Sequence, residues 1–299
     1  MRRLFRFPMV FHGALLRAMR HDCLNLAQST AYSAMVSLFP ALIVAAAIAS
    51  MLPDTTPLRF QLAIFFDRML PPDVSPLLQS YFVASPQTTR STHALGLAFI
   101  VSLTGASSVL ATIMEGLRRA NDLPVNCWTF WQRRLRAFLL VPLSGIPFAL
   151  ASILVVFGHF ITEWLAGHIA PSARTSVFLL ALLIRWSVAL TGSIGITALI
   201  YHMGTPMQQS WKRTLPGAFV STAMWFLATL VFGWYVTRFA NYSQVYGSLG
   251  AGIALLFWLY IISLCVLFGA EFNTEFRTRF FHHPRTHSTP STPNLLPPG

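Results

Sequence analysis

The chain has 299 residues, of which 55% are hydrophobic and only 10% charged, and its formal net charge is +12. Soluble domains carry about 25% charged residues, so the composition excludes a water-soluble globule and requires a polytopic membrane protein. The basic residues stand in clusters beside apolar runs, where they set membrane orientation, and no nucleic-acid partner is expected.

At the start, Arg2, Arg3 and Arg6 precede an apolar stretch that His12, Arg17, Arg20 and Asp22 interrupt, which rules out a signal-peptide core. Met9–Met19 reads as an amphipathic lead-in with Phe11, Leu15 and Met19 on one face, so residues 1–23 form a cytoplasmic segment lying along the bilayer. Residues 24–276 form the membrane domain. Six apolar runs follow one another there: Ala27–Leu52, Ala94–Met114, Ala137–Thr162, Ser176–Met203, Leu215–Thr237 and Leu249–Ala270. Each is long enough to cross about 30 Å of hydrocarbon as a helix, and a helix satisfies its own backbone groups in lipid. The fold class is therefore an all-α membrane protein, a six-transmembrane helix bundle with short interfacial helices.

In the first run, Pro40 follows Ser29, Thr30, Ser33 and Ser37. A proline there frees a backbone carbonyl that a hydroxyl can satisfy, and kinked helices of this type line sites in some transporters. The loop Pro53–His93 holds two proline-initiated segments, after Thr56 and after Ser75, which read as two short interfacial helices. Gly105 and Ser108 in the second run, Gly192, Ser193 and Gly195 in the fourth, and Ser248 and Gly252 in the last form small-residue patches that let helices approach closely.

Arg185 is the one charge inside a run. In a helix continuous from Ser176 it lies about 13 Å along the axis and needs a buried partner. A span beginning at Trp186 instead lets Arg185 snorkel to the outer surface, and this is the reading adopted. Glu271 ends the last run on the cytoplasmic side, within reach of water. Residues 277–299 read as a disordered cytoplasmic tail. His282, His283 and His287 belong to it and lack an organised ligand shell, so no metal and no cofactor are expected.

Counting Arg and Lys by loop places fifteen on one side and five on the other, with Arg185 left over, so both termini face the cytoplasm of a bacterial inner membrane. Cys23, Cys127 and Cys265 make no CxxC and no disulfide framework; they read as reduced structural thiols.

Three blocks in fixed order resemble the YihY/BrkB family of bacterial inner-membrane proteins. They are Ala31–Ile43 (AYSAMVSLFPALI, containing Tyr32, Ser37 and Pro40) preceded by Asp22; Trp211 with Leu215-Pro216-Gly217-Ala218; and Tyr242, Tyr246-Gly247-Ser248-Leu249-Gly250, Trp258-Leu259-Tyr260 and Gly269-Ala270-Glu271-Phe272-Asn273. Ser33 and Phe272 depart from the family's usual residues. The resemblance implies a six-helix inner-membrane protein and leaves the biochemical role open. Members often carry the label ribonuclease BN, and one branch is associated with serum resistance.

Walker A, G-x-S-x-G, H-E-x-x-H and paired acidic motifs are missing, and the nine acidic residues are scattered, so no enzyme is expected. The kinked polar first span and the glycine-rich last span read as a transporter or flippase-like protein for a small or lipidic substrate, with the bilayer as constant partner. A non-transporting envelope scaffold is the alternative, and a membrane-bound ribonuclease the third. The polar entry Tyr242, Ser243, Gln244 and Tyr246, facing Pro40, is the expected mouth of a site. Oligomeric state is not legible in the sequence.

Overall fold

The computed structural model describes residues 7–50, 92–167, 174–207, 210–239 and 248–281. Their regular structure is entirely helical: α1 Phe7–Arg20, α2 Cys23–Ser50, α3 Thr92–Ala120, α4 Phe130–Gly167, α5 Arg174–Met203, α6 Trp211–Phe239 and α7 Ser248–Phe281, with one 3-10 turn, Val125–Cys127, between α3 and α4. Five of these helices are long and apolar enough to cross a membrane, over Cys23–Ala45, Gly96–Ala120, Phe178–Met203, Trp211–Tyr235 and Gly252–Phe280. The expected interfacial helices of residues 53–93 lie outside the described residues.

Packing runs α2 to α3 to α4 to α5 to α6 to α7 and back to α2, and α7 also touches α1 and α3. The helix α1 has two working faces. Val10, Ala14 and Ala18 are buried against α7, whereas Phe11, Leu15 and Met19, the expected apolar face, stay exposed in position to enter the bilayer interface.

The fully buried side chains gather at one end of the bundle. One cluster joins the C-terminal half of α3 (Leu110, Met114, Leu117) to Leu140, Tyr201, Ala218 and Ala270; a second joins α1 to Cys23, Leu26, Val220, Leu267 and Phe272. This is the basic end, carrying the start of α2, α4 and α6 and the finish of α3, α5 and α7. Farther along, large apolar side chains such as Phe99, Ile146, Leu183, Leu230 and Phe257 are exposed, as lipid contact requires.

Close helix crossings depend on missing side chains. A Cβ on Gly217 would meet the Gly269 carbonyl, and one on Gly269 would meet the Tyr201 hydroxyl at 2.5 Å and the Gly217 carbonyl at 2.7 Å. A Cβ on Gly105 would run into Ser37, so that patch packs as expected. Gly195 has open space around it, so no close crossing forms there; α5 meets α6 through larger side chains such as Trp186 against Phe226.

Three expectations change. α5 begins at Arg174 and its membrane-crossing stretch at Phe178, so the span does not start at Trp186. Phe178, Leu179, Leu180, Leu182, Leu183 and Ile184 before Arg185 are all exposed and apolar, which suits lipid on both sides of the arginine. α7 continues to Phe281, so residues 277–281 are helix and not tail; Arg277 donates to Asn121 Oδ1 at 2.9 Å and Arg279 pairs with Glu275 one turn back. α2 runs through Pro40 as one helix, and Ser37 Oγ donates to the Ala34 carbonyl, not to the Val36 carbonyl that the proline leaves free.

The glycine crossing sets a prediction. Gly269→Ala should destabilise the detergent-solubilised protein by about 1–3 kcal/mol through overpacking, whereas Gly145→Ala, with open space at its Cβ, should change stability by less than about 1 kcal/mol. Thermal unfolding followed by intrinsic fluorescence distinguishes the two; equal melting of both variants contradicts the crossing.

Candidate functional site

Two short connections assemble the polar centre of the basic end. α1 finishes at Arg20 and turns through Asp22, and α3 finishes at Ala120 and turns through Asp122. Both aspartates adopt left-handed backbone, with φ of 56° and 52°. The second turn closes as a C-terminal capping motif: Asp122 N–H donates to the Arg119 carbonyl at 2.9 Å and Leu123 N–H to the Arg118 carbonyl at 3.1 Å. Aspartate is one of the few residues besides glycine that tolerates this conformation, and here its carboxylate is used as well.

Glu271 lies where these turns meet α7, and its side chain is fully buried. It receives Arg17 Nε at 3.3 Å, His21 Nδ1 at 2.7 Å and the Cys23 thiol at 3.8 Å. Arg17 also donates to Asp122 Oδ2 at 2.8 Å and to the Ala120 carbonyl at 2.9 Å. His21 Nε2 lies 3.2 Å from Asp122 Oδ1. His21 thus has a carboxyl oxygen at each ring nitrogen, that of Glu271 at Nδ1 and that of Asp122 at Nε2. Burial alone pushes the Asp122 carboxyl up, but the bonds and charges of Arg17 and then His21 outweigh it and hold the group below the ordinary carboxylate range. Burial likewise works against the Arg17 charge, and Asp122 and Glu271 overcome it, so the guanidinium is held more firmly than usual.

Two residues beyond Glu271, Asn273 accepts the Gly217 N–H on its Oδ1 at 3.2 Å, just after Pro216. Tyr201 crosses from α5 to donate to the Val266 carbonyl at 2.5 Å. Pro216, Gly217, Glu271 and Asn273 therefore belong to one assembly, with Asp22 at its edge, 3.6 Å from Arg119. Ser37 and Pro40 lie apart from it on α2; Tyr32 points outward and is 68% exposed. Gly250 is buried near the start of α7. Arg185 is half-buried midway along α5 and forms no ion pair among the described residues. Tyr242, Ser243, Gln244, Tyr246 and Gly247, the expected mouth, lie outside the described residues. The expected solvent access of Glu271 is corrected outright: α1 and its turn cover it, and its charge is met by Arg17 and His21. Those two partners were not singled out in the sequence, since they stand about 250 positions away and carry no local motif.

A different polar feature lies deeper. Most described hydroxyls bond back to their own helix: Thr30 to Leu26, Ser107 to Thr104, Thr112 to Ser108, Thr197 to Ser193 and Ser263 to Leu259. Thr222 Oγ1, Trp225 Nε1 and Thr229 Oγ1 do not; each is a buried polar atom without a hydrogen-bond partner. At 100° per residue they fall on one side of α6, about 16–27 Å from its start, which is mid-bilayer depth. A separate apolar groove of about 590 Å³ lies between α6 and α7, on another side of α6 and nearer its far end, lined by Val231, Phe232, Tyr235, Ile253, Ala254 and Phe257 among others.

Among the described residues, no group of three or more His, Cys, Asp or Glu has an arrangement fit to hold a metal ion. The sequence profile of the family described as virulence factor BrkB matches residues 14–292. The ribonuclease-like protein YfkH of Bacillus subtilis (strain 168) is 26% identical over 87% of this chain and 92% of its own length. UPF0761 membrane proteins of Tolumonas auensis and Alteromonas mediterranea are each 26% identical, over 88% and 94% of this chain and 84% and 92% of their own. No solved structure matches the chain.

Glu271→Ala should cost about 3–5 kcal/mol, because it leaves Arg17 and His21 buried against one exposed carboxylate. Hydrogen exchange of the α1 amides reads the same loss locally. An alanine variant that melts with the wild type and keeps α1 protected removes the clamp assigned to Glu271.

Proposed function

The chain belongs to the virulence factor BrkB family, and from that membership and the chemistry of α6 we propose an integral bacterial inner-membrane protein that moves a small or lipidic amphipathic substrate across the bilayer. The observation that carries this reading is the stripe of Thr222, Trp225 and Thr229. A buried polar atom without a partner costs about 1–3 kcal/mol, and three on one side of one helix at mid-membrane depth form a row of groups seeking a polar guest. The apolar groove between α6 and α7 suits hydrocarbon, so α6 offers a polar and an apolar surface to a molecule with a polar head and an apolar body.

The proposal takes α4 as a sixth span beside the five apolar helices. With 38 residues, Pro142 and Pro147 inside it, and neighbours α3 and α5, it has the length and the position. Both termini then fall on one side, and the clusters of arginine put that side in the cytoplasm. No enzymatic step is part of the reading. The name of the Bacillus relative carries the word ribonuclease, but the buried carboxylate Glu271 is occupied by Arg17 and His21 and is closed to a substrate.

A scaffold role is the second reading. The back-bonded hydroxyls of α2 and α3 and the dry crossing of Gly217 on Gly269 favour it.

Two measurements test these statements. Reconstituted protein should exchange fluorescent phospholipids between leaflets faster than empty vesicles. Thr222→Val with Thr229→Val should slow that exchange about tenfold, the worth of two hydrogen bonds of about 0.5–1.5 kcal/mol each. Equal rates in protein-containing and empty vesicles sink the lipid reading, and recovery of a stoichiometric cross-linked partner in native membranes then supports the scaffold. Separately, reporter fusions after Met203 and after Arg277 should both report cytoplasm, and a periplasmic signal from either overturns the orientation.

A further inference from the structure

A second polar region, independent of any transport activity, lies between α2, α3 and the start of α4. Two adjoining cavities there, of about 250 and 320 Å³, share Glu115 and Arg133 as common wall. Glu115 is already saturated: Arg118 grips both its oxygens at 2.7 and 3.0 Å, Arg119 adds a bond at 3.2 Å, and Arg133 stands 3.7 Å off. Arg119 also faces Asp22 at 3.6 Å. Three guanidinium groups thus meet two carboxylates, and with Arg134 nearby the positive surplus is local. Arg134, on the wall of the larger cavity, makes a neutral bond to Ser108 Oγ at 3.2 Å and lies over the Phe138 ring. Arg133 keeps 40% of its side chain exposed. Both line the larger cavity, together with Ser29 and Thr112.

We infer that Arg133 and Arg134 bind a phosphate-bearing anion at the membrane surface. A phosphate takes paired N–H donors from planar guanidinium groups, which suits arginine better than lysine. The surroundings favour a lipid headgroup over a free ion. Trp131, Leu135 and Leu139, 75%, 72% and 57% exposed, give α4 an apolar outer face for lipid at this level, on the side of the helix away from the two arginines. Phe130 and Trp131 mark the interface level itself. Basic pockets between membrane helices are a known mode of anionic headgroup binding.

Native mass spectrometry of the full chain with graded phosphatidylglycerol or phosphatidylcholine tests the site. The wild type should retain phosphatidylglycerol selectively. Arg133→Gln with Arg134→Gln should weaken that retention about 30-fold, at about fivefold for each arginine removed, and Arg134→Lys should fall between. Failure of millimolar inorganic phosphate to displace the lipid supports the headgroup as ligand. Displacement, together with phosphate binding to the wild type alone, supports the same site with the free ion as its occupant. Equal retention of both lipids by the wild type overturns the proposal and requires no variant. So does a double variant that melts as the wild type does and holds phosphatidylglycerol within twofold of it.

Discussion

A carboxylate with no exposed surface must be paired, and Glu271 imposes that requirement on three of the seven described helices. Desolvating one unpaired charge costs several kcal/mol even after relaxation, more than any single apolar contact here returns. α1 can dock on α7 because it brings Arg17 and His21 to the carboxylate, and the turn after α3 joins because Asp122 meets the same two side chains. The apolar packing of Val10, Ala14 and Ala18 on α7 follows from this register. A shift of one residue along α1 would break both the ionic and the apolar sets. The ionic group thus specifies which way α1 lies, while burial of apolar surface supplies the attraction.

The glycine crossing and the Asn273 bond extend the same logic to α6. Pro216 removes one amide near the start of that helix, and the next amide, of Gly217, turns to a side chain on α7. Backbone can donate to a neighbouring helix only where nothing stands between them, and the absent Cβ of Gly217 and of Gly269 provides that approach. Hydrogen bonding and close packing are therefore one feature at this point. The same helix, about one and a half to three turns on, presents hydroxyl and indole groups with no such partner.

How much of this was legible in the sequence depended on range. Apolar runs predicted the membrane helices well, because bilayer thickness acts on contiguous residues, and Glu271, Asn273, Gly217 and Asp22 were marked by the motifs that contain them. The partners of Glu271 were not, since a pairing across about 250 positions leaves no local pattern. Asp122 was invisible for another reason: left-handed turns are advertised by glycine, and an aspartate that also serves as counter-ion looks like any loop residue. Arg185 misled because a single charge reads as a boundary, whereas the helix runs past it in both directions. The end of α7 was misjudged where composition turned polar, although Arg277 and Asn121 keep that extension bound.

Buried side chains among the described residues crowd toward the basic end, and this unequal distribution has a mechanical consequence. Helices tied together at one end and bathed in lipid farther on move like the ribs of a fan. A tilt of about 5° at the tied end carries a point about 30 Å away, one hydrocarbon thickness, through about 2.6 Å. Small rearrangements around Gly217 and Gly269 are therefore amplified where α6 and α7 enclose their apolar groove, and the stiff end sets the amplitude for the soft one.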